Sequence, residues 1–340
     1  MSDYSIGVDL GGTNLRIAAL DEQGTVLERI TLDTAVALGR ERVIDDMCAA
    51  IRRLVDKHQD VMPLRGIGIG VPGIIDMESG MVRESPNLPG WEDAPVRAEI
   101  EQRLGTLVIL ENDANSAALG ETWLGVARGQ DNMAMLTLGT GVGGGMVLGG
   151  RIWHGMNGMA NEFGHTTVAP EGQLCGCGSR GCLEQYASAT AVVRMAREAI
   201  GRGARGLADL AAAKTGFGAA DVCKLATQGD EECLAIFRSV GRSLGIVISG
   251  LVNSLNLPMY VVGGGVSNAW DLFSPTIFAE LQQRSMVYAA TTPDSVARDG
   301  RGASQRVKPS GSKRTIVTKA LLGSDAGLYG AARLPMLAGL

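Results

Sequence analysis

Three groups of residues in this chain have the types and spacing for chemistry. The first is Glu111-Asn112-Asp113, where the apolar run from Leu107 to Leu110 ends on a carboxylate, an amide and a second carboxylate. A small-residue helix is expected to start there, and open α/β sheets place ligands where a strand ends and helix N–H groups point outward. Asp113 then has two readings, a helix N-cap or a group that takes a proton. The second group is His165, Cys175, Cys177 and Cys182, one imidazole and three thiolates, the number and softness of a tetrahedral structural zinc site. Gly176, Gly178 and Gly181 allow the chain to turn tightly between them. Four protein ligands leave no open coordination position, so the zinc is expected to fix a loop from which Glu162 and Glu184 can address a ligand.

The third group is glycine. Gly11-Gly12-Thr13-Asn14 and Gly139-Thr140-Gly141 each follow an apolar strand-like run, and Gly263-Gly264-Gly265 makes another such turn. Neither match to the dinucleotide pattern, at Gly68 and at Gly139, has the strand–turn–helix context it requires, and no P-loop sequence occurs. What remains is a set of backbone nests, which bind phosphate through N–H groups without lysine. Asp9, just ahead of the first turn, is placed to hold Mg²⁺ directly or through its water. Nucleotide phosphate is the ligand these turns suit.

These groups need elements to hold them. Tyr4–Leu10, Leu15–Leu20 and Thr25–Leu32 read as three antiparallel strands, followed by a helix from Arg40 to His58. Residues 72–91 read as a long turn-rich loop, 113–127 as a helix, and 133–138 with 146–148 as a second strand–turn–strand unit. The two units suggest a duplication. Residues 183–200 and 230–253 read as helices, and 291–313 as a polar, basic surface excursion. We expect a domain of 1–112 completed by a C-terminal helix at about 322–340, and a second of 113–321 with a zinc-bearing insertion at 150–183.

The composition agrees with two folded domains. The chain has 340 residues, 45% hydrophobic and 20% charged, with a net charge of −5. That is ample for two cores and lacks the positive face of a nucleic-acid binder. Clustered cysteines, the absence of an export signal and of an apolar run of membrane length lead to the expectation of a cytoplasmic protein.

Taken together, Asp9-x-Gly-Gly-Thr13-Asn14-x-Arg16, Glu111-Asn112-Asp113-Ala-Asn115, Leu138-Gly-Thr-Gly-Val-Gly-Gly-Gly145, Glu162-Phe-Gly-His165 and Cys175-Gly-Cys-Gly-x-x-Gly-Cys182-Leu-Glu184 resemble the ROK family of sugar kinases, in particular its bacterial ATP-dependent glucokinases. The resemblance implies an α/β, actin-like/hexokinase-like (ribonuclease H-like) duplicated two-domain fold with an interdomain cleft, often as a homodimer. It implies ATP with Mg²⁺, a hexose substrate and structural Zn²⁺. It makes Asp113 the catalytic base and places Asn112, Glu162, His165 and Glu184 on sugar hydroxyls, with His165 also on zinc. Asn87 and Gly73 resemble further sugar contacts of the glucokinase branch, and Gly264 and Gly265 join Gly11, Gly12, Thr13, Asn14, Thr140 and Gly141 around the nucleotide. Asn161 stands where the family more commonly has glycine. Glucose 6-phosphorylation is the expected activity, with N-acetylmannosamine, N-acetylglucosamine, allose or fructose as alternative substrates. A non-catalytic sugar-binding or repressor role is the remaining alternative; family repressors carry a helix-turn-helix ahead of the first glycine turn, and eight residues precede Asp9 here.

Overall fold

The computed structural model describes residues 3–85, 87–214, 216–292 and 314–338, which divide into two compact units. Unit 1 comprises 1–131, 145–161 and 321–340, and unit 2 comprises 132–144 and 162–320.

In unit 1, β1 (Tyr4–Leu10), β2 (Asn14–Asp21) and β3 (Val26–Asp33) form the expected antiparallel set. The sheet then turns parallel: β4 (Leu64–Val71) pairs with β1. The region expected as loop holds a small hairpin, β5 (Ile74–Asp76) and β6 (Met81–Glu84), too short to leave a period in the sequence. β7 (Val108–Asn112) pairs parallel to β4, giving the order β3-β2-β1-β4-β7. Helix α1 (Arg40–His58) turns Val43, Met47, Ile51 and Leu54 into the core, the i, i+4, i+8, i+11 stripe of an amphipathic helix. Helices α2 (Val96–Leu104) and α3 (Asp113–Trp123) flank β7 in sequence.

In unit 2, β8 (Met133–Leu138) leads through a glycine turn into β9 (Val142–Leu148), whose second half and β10 (Arg151–Ile152) lie in unit 1. The stretch expected as one helix from 183 is two, α4 (Glu184–Ala187) and α5 (Ala189–Gly201). Ser188, extended, caps the second by accepting the Ala191 N–H at 3.0 Å. Helices α6 (Arg205–Ala213) and α7 (Ala219–Thr227) precede the long α8 (Glu231–Leu255), and β11 (Met259–Gly263) follows it. Helices α9 (Trp270–Arg284) and α10 (Met286–Thr291) and strand β12 (Ile316–Lys319) complete the unit. The second sheet runs β10-β9-β8-β11-β12, with β11 parallel to β8 and β12 parallel to β11. Counted within each sheet, both orders are 3-2-1-4-5. This is the duplicated α/β arrangement of the actin-like/hexokinase-like fold.

The last helix, α11 (Ala326–Ala338), belongs to unit 1. It also explains why α3 belongs to unit 1 and not, as the sequence suggested, to the second domain. At Gly330 a Cβ would lie 1.6 Å from the Ser116 carbonyl oxygen, so α3 and α11 pack backbone to backbone. Among the described residues, α8 is long and apolar enough to cross a membrane by length and composition, with 25 residues and a hydropathy of 1.4, which the sequence reading passed over. Its Phe237, Val240, Leu244 and Ile248 are buried inside unit 2. Residues 293–313 of the basic excursion lie outside the described residues.

Candidate active site

Unit 1 carries Asp9, Gly11, Gly12, Thr13, Asn14, Gly73, Asn87, Asn112 and Asp113. At the end of β7 the chain decides between the two readings of Asp113. The N-cap of α3 is Asn112: its backbone is extended, and its Oδ1 accepts the Ala114 and Asn115 N–H groups at 2.9 and 3.1 Å. Asp113 is therefore the first helical residue, its Oδ1 accepting the Ala114 N–H at 2.9 Å. A carboxylate in the first turn is favoured by the helix dipole, and the capping role belongs to its neighbour. Asn112 Nδ2 donates to the Gly73 carbonyl at 3.0 Å, which leaves its second amide hydrogen for a ligand. Gly73 is obligatory: its φ is +121°, and a Cβ would sit 2.1 Å from the Glu84 carbonyl.

The first glycine turn follows β1. The Gly11 N–H donates to the Asn14 carbonyl at 2.9 Å, and Thr34 braces the turn by donating Oγ1 to Gly11 O at 2.7 Å and its N–H to Thr13 O at 2.8 Å. Gly12, Thr13 and Asn14 are exposed. The Asn87 backbone lies against this turn, so that a Cβ at Gly12 would be 3.3 Å from its carbonyl oxygen. Burial of Leu88 and Trp91 anchors the Asn87 loop. Asp9 is paired with Arg16 at 3.3 Å, and Arg16 also donates to Ser324 O at 2.7 Å, ahead of α11. Burial raises the Asp9 pKa above the usual carboxylate value, against the lowering pull of Arg16. A buried carboxylate with one arginine partner is a fit place for a divalent cation, which would offset that desolvation.

Unit 2 carries Thr140, Gly141, Glu162, His165, Glu184, Gly264 and Gly265. Its turn between β8 and β9 closes with Gly139 N–H on Gly141 O at 2.9 Å. It is braced as the first turn is: Thr190 Oγ1 donates to Thr140 O at 2.8 Å and the Ala189 N–H to Gly139 O at 2.8 Å. Glu184, the first residue of α4, accepts the Val142 N–H on Oε2 at 2.9 Å. A Cβ at residue 141 would lie 2.3 Å from the same oxygen, so glycine is what lets the carboxylate reach the strand. Gly264 follows β11 and packs against Leu138 at the end of β8, which brings the 263–265 turn beside the 139–141 turn.

The ligand atoms of His165, Cys175, Cys177 and Cys182 all lie within 4.8 Å of one another. Cys175 Sγ is 3.6 Å from His165 Nδ1, and Cys177 Sγ is 3.7 Å from Cys182 Sγ. Tetrahedral zinc with bonds of about 2.3 Å requires an S···S edge of about 3.8 Å, so the four groups fit the metal. His165 offers Nδ1 to this cluster and turns Nε2 toward Glu162, 3.9 Å away. Gln185 Nε2 lies 3.7 Å from Cys175 Sγ, an outer partner of the kind that orients metal ligands.

One polar group in unit 1, His154, gave no signal of its own in the sequence, and a second, Asn161, was marked there only as a departure from the family pattern. His154 Nε2 meets Glu111 Oε2 at 2.6 Å. Asn161 has φ of +72°, a backbone that glycine and asparagine tolerate, and its side chain is buried. The signal for the first was a glutamate closing an apolar strand, which requires a partner; nothing in the sequence said which.

The family profile described as ROK family matches residues 5–336. A glucokinase from Halalkalibacterium halodurans is 39% identical over 334 residues, spanning 97% of this chain and 94% of that protein. Among solved structures, a ROK hexokinase from Thermus thermophilus is similar with a TM-score of 0.78 and 31% identity, covering 99% of both chains. A ROK family glucokinase from Streptomyces griseus, in complex with glucose and AMPPNP, has a TM-score of 0.75 and 34% identity, covering 97% of this chain and 98% of that one. A xylose repressor from Caldicellulosiruptor bescii is 30% identical over 83% of this chain and 71% of its own length.

Proposed function

The chain belongs to the ROK family, and on that footing we propose that it transfers the γ-phosphoryl group of ATP to the 6-hydroxyl of glucose. The observation that carries the reading is the junction at 111–113, where Asn112 takes the cap and Asp113 opens the helix.

In this mechanism Asp113 accepts the hydroxyl proton as O6 attacks the γ-phosphorus in line. The O6–P bond forms, the bond from phosphorus to the bridging oxygen breaks, and ADP departs with that electron pair. Backbone N–H groups at Gly12 and Gly141, with Thr13, Asn14, Thr140 and the turn at Gly264 and Gly265, offset the charge on the phosphate oxygens, while Gly11, expected among these donors, spends its N–H on the Asn14 carbonyl and closes the turn instead. Mg²⁺, held by Asp9 directly or through water, would supply further charge neutralisation when bound. Asn87, Asn112, Glu162, His165 and the second oxygen of Glu184 would fix the sugar hydroxyls, with the Gly73 backbone beside them. Zn²⁺ on His165, Cys175, Cys177 and Cys182 would hold His165 and Glu184 in place without entering the reaction.

Glucose is favoured over other hexoses by the Asn87 loop and the His165–Glu184 pair. Sites built on hydrogen bonds discriminate where a partner is lost. The same reading includes a homodimer in the cytoplasm, with no nucleic-acid or membrane partner, in keeping with the net charge of −5. The test is ADP release measured against glucose, fructose, allose, N-acetylglucosamine and N-acetylmannosamine at equal concentration. Glucose should give the highest kcat/KM. Preference for another hexose would overturn the substrate, and sugar binding without ADP release would overturn the enzyme.

A further inference from the structure

We propose that His154 is a positioning residue which, through Glu111, fixes the strand-to-helix junction carrying Asn112 and Asp113; the inference rests on the kinase reading above. Glu111 is 1% exposed although it lies next to Asn112. A carboxylate buried that far is tolerated only when its oxygens are partnered. Oε1 accepts the Asn112 N–H at 2.9 Å and the Asn115 side-chain amide at 3.0 Å. Oε2 meets His154 Nε2 at 2.6 Å.

The contacts tie three stretches of unit 1 at one carboxylate. The Asn112 N–H is the peptide leading into Asp113, so rotation of the Glu111 carboxylate would turn that peptide and the cap with it. Asn115, in the first turn of α3, receives a second restraint: its Oδ1 accepts Asn161 Nδ2 at 3.2 Å, which also donates to the Trp153 carbonyl at 2.8 Å. Residues 153, 154 and 161 therefore hold the end of β7 and the start of α3 from one side. A displacement of about 1 Å at a reacting group can cost on the order of a hundredfold in rate, which makes such a restraint worth measuring.

Three variants of the whole protein test this. His154→Leu removes the contact and leaves a buried charge; kcat should fall about 10- to 100-fold, while KM for ATP changes less than about threefold. His154→Gln restores a donor near the Nε2 position and should recover kcat to within about threefold. Glu111→Gln with His154→Leu removes the buried charge as well, so it keeps the fold should the single variant lose it. The double variant should still lack turnover to a similar degree. Wild-type kcat in the double variant would overturn the proposal, because His154 would then merely neutralise a charge. Wild-type kcat in His154→Leu would overturn it too. Absence of hexose-dependent turnover in the wild-type protein would instead remove the kinase reading, and this inference with it.

Discussion

Glu184 Oε2 and the Val142 N–H lie 2.9 Å apart, joining the first residue of α4 to the strand that leaves the 139–141 turn. Glu184 follows Cys182 by two residues, so the cysteine loop, a carboxylate and the 139–141 glycine turn are mechanically continuous within unit 2. A hydrogen bond to a charged group contributes about 1.5–3 kcal/mol. Glu184→Ala should therefore raise KM for ATP as well as for sugar, each by about 10-fold or more, as read from initial rates with either substrate varied. An unchanged KM for ATP would separate Glu184 from the turn.

Asp113→Asn tests the base. The amide is nearly isosteric and keeps an oxygen to accept the Ala114 N–H. Turnover should drop about a hundred- to ten-thousand-fold, with the sugar Kd by calorimetry within about threefold. Turnover near the wild-type value would give the proton to another group.

Zinc content is a direct reading of the cysteine loop. Protein purified without added metal should carry about one zinc per chain. Cys175→Ser combined with Cys177→Ser should lose it and weaken sugar binding more than ATP binding. Elemental analysis that finds no zinc in the wild-type protein would refute the assignment.

The His154–Glu111 pair makes stability depend on pH. The hydrogen bond that His154 donates to Glu111, and then the charge of that carboxylate, raise the His154 pKa above its ordinary value, and burial opposes them. A cation held above its unfolded pKa, about 6.5, contributes its full stability below that pH and loses it as pH rises through the folded value. The thermal midpoint of wild type should exceed that of His154→Gln most below about pH 6.5, and the gap should narrow as the pH rises above that value. A gap of constant size across that range would show that the charge contributes nothing.

Much of the candidate site can be assembled from the sequence because its residues are close together along the chain. Gly11 to Asn14 and Gly139 to Gly141 are contiguous turns, and Cys175, Cys177 and Cys182 fall within one loop, so spacing alone proposed phosphate and metal. The cap at Asn112 was not legible, since Asn and Asp are equally good caps and only the backbone of α3 shows which residue is extended. His154 was illegible for a different reason: its partner lies 43 residues away, and no period or motif links them. The α4–α5 break rests on one serine, and the apolar pattern runs straight through it. The domain boundary depended on α3 and α11 meeting at Gly330, a contact between helices more than two hundred residues apart.

Unit 1 begins with β1 and is covered by α11, which docks so closely on β4 that a Cβ at Gly68 would lie 2.0 Å from the Ala331 carbonyl. On the ribosome, at about 5–20 residues per second, the opening strands must wait many seconds for the helix that seals them. All of unit 2 leaves the tunnel in the meantime. The half of the protein made first is thus the half finished last, and its exposed sheet is what a chaperone would meet during synthesis.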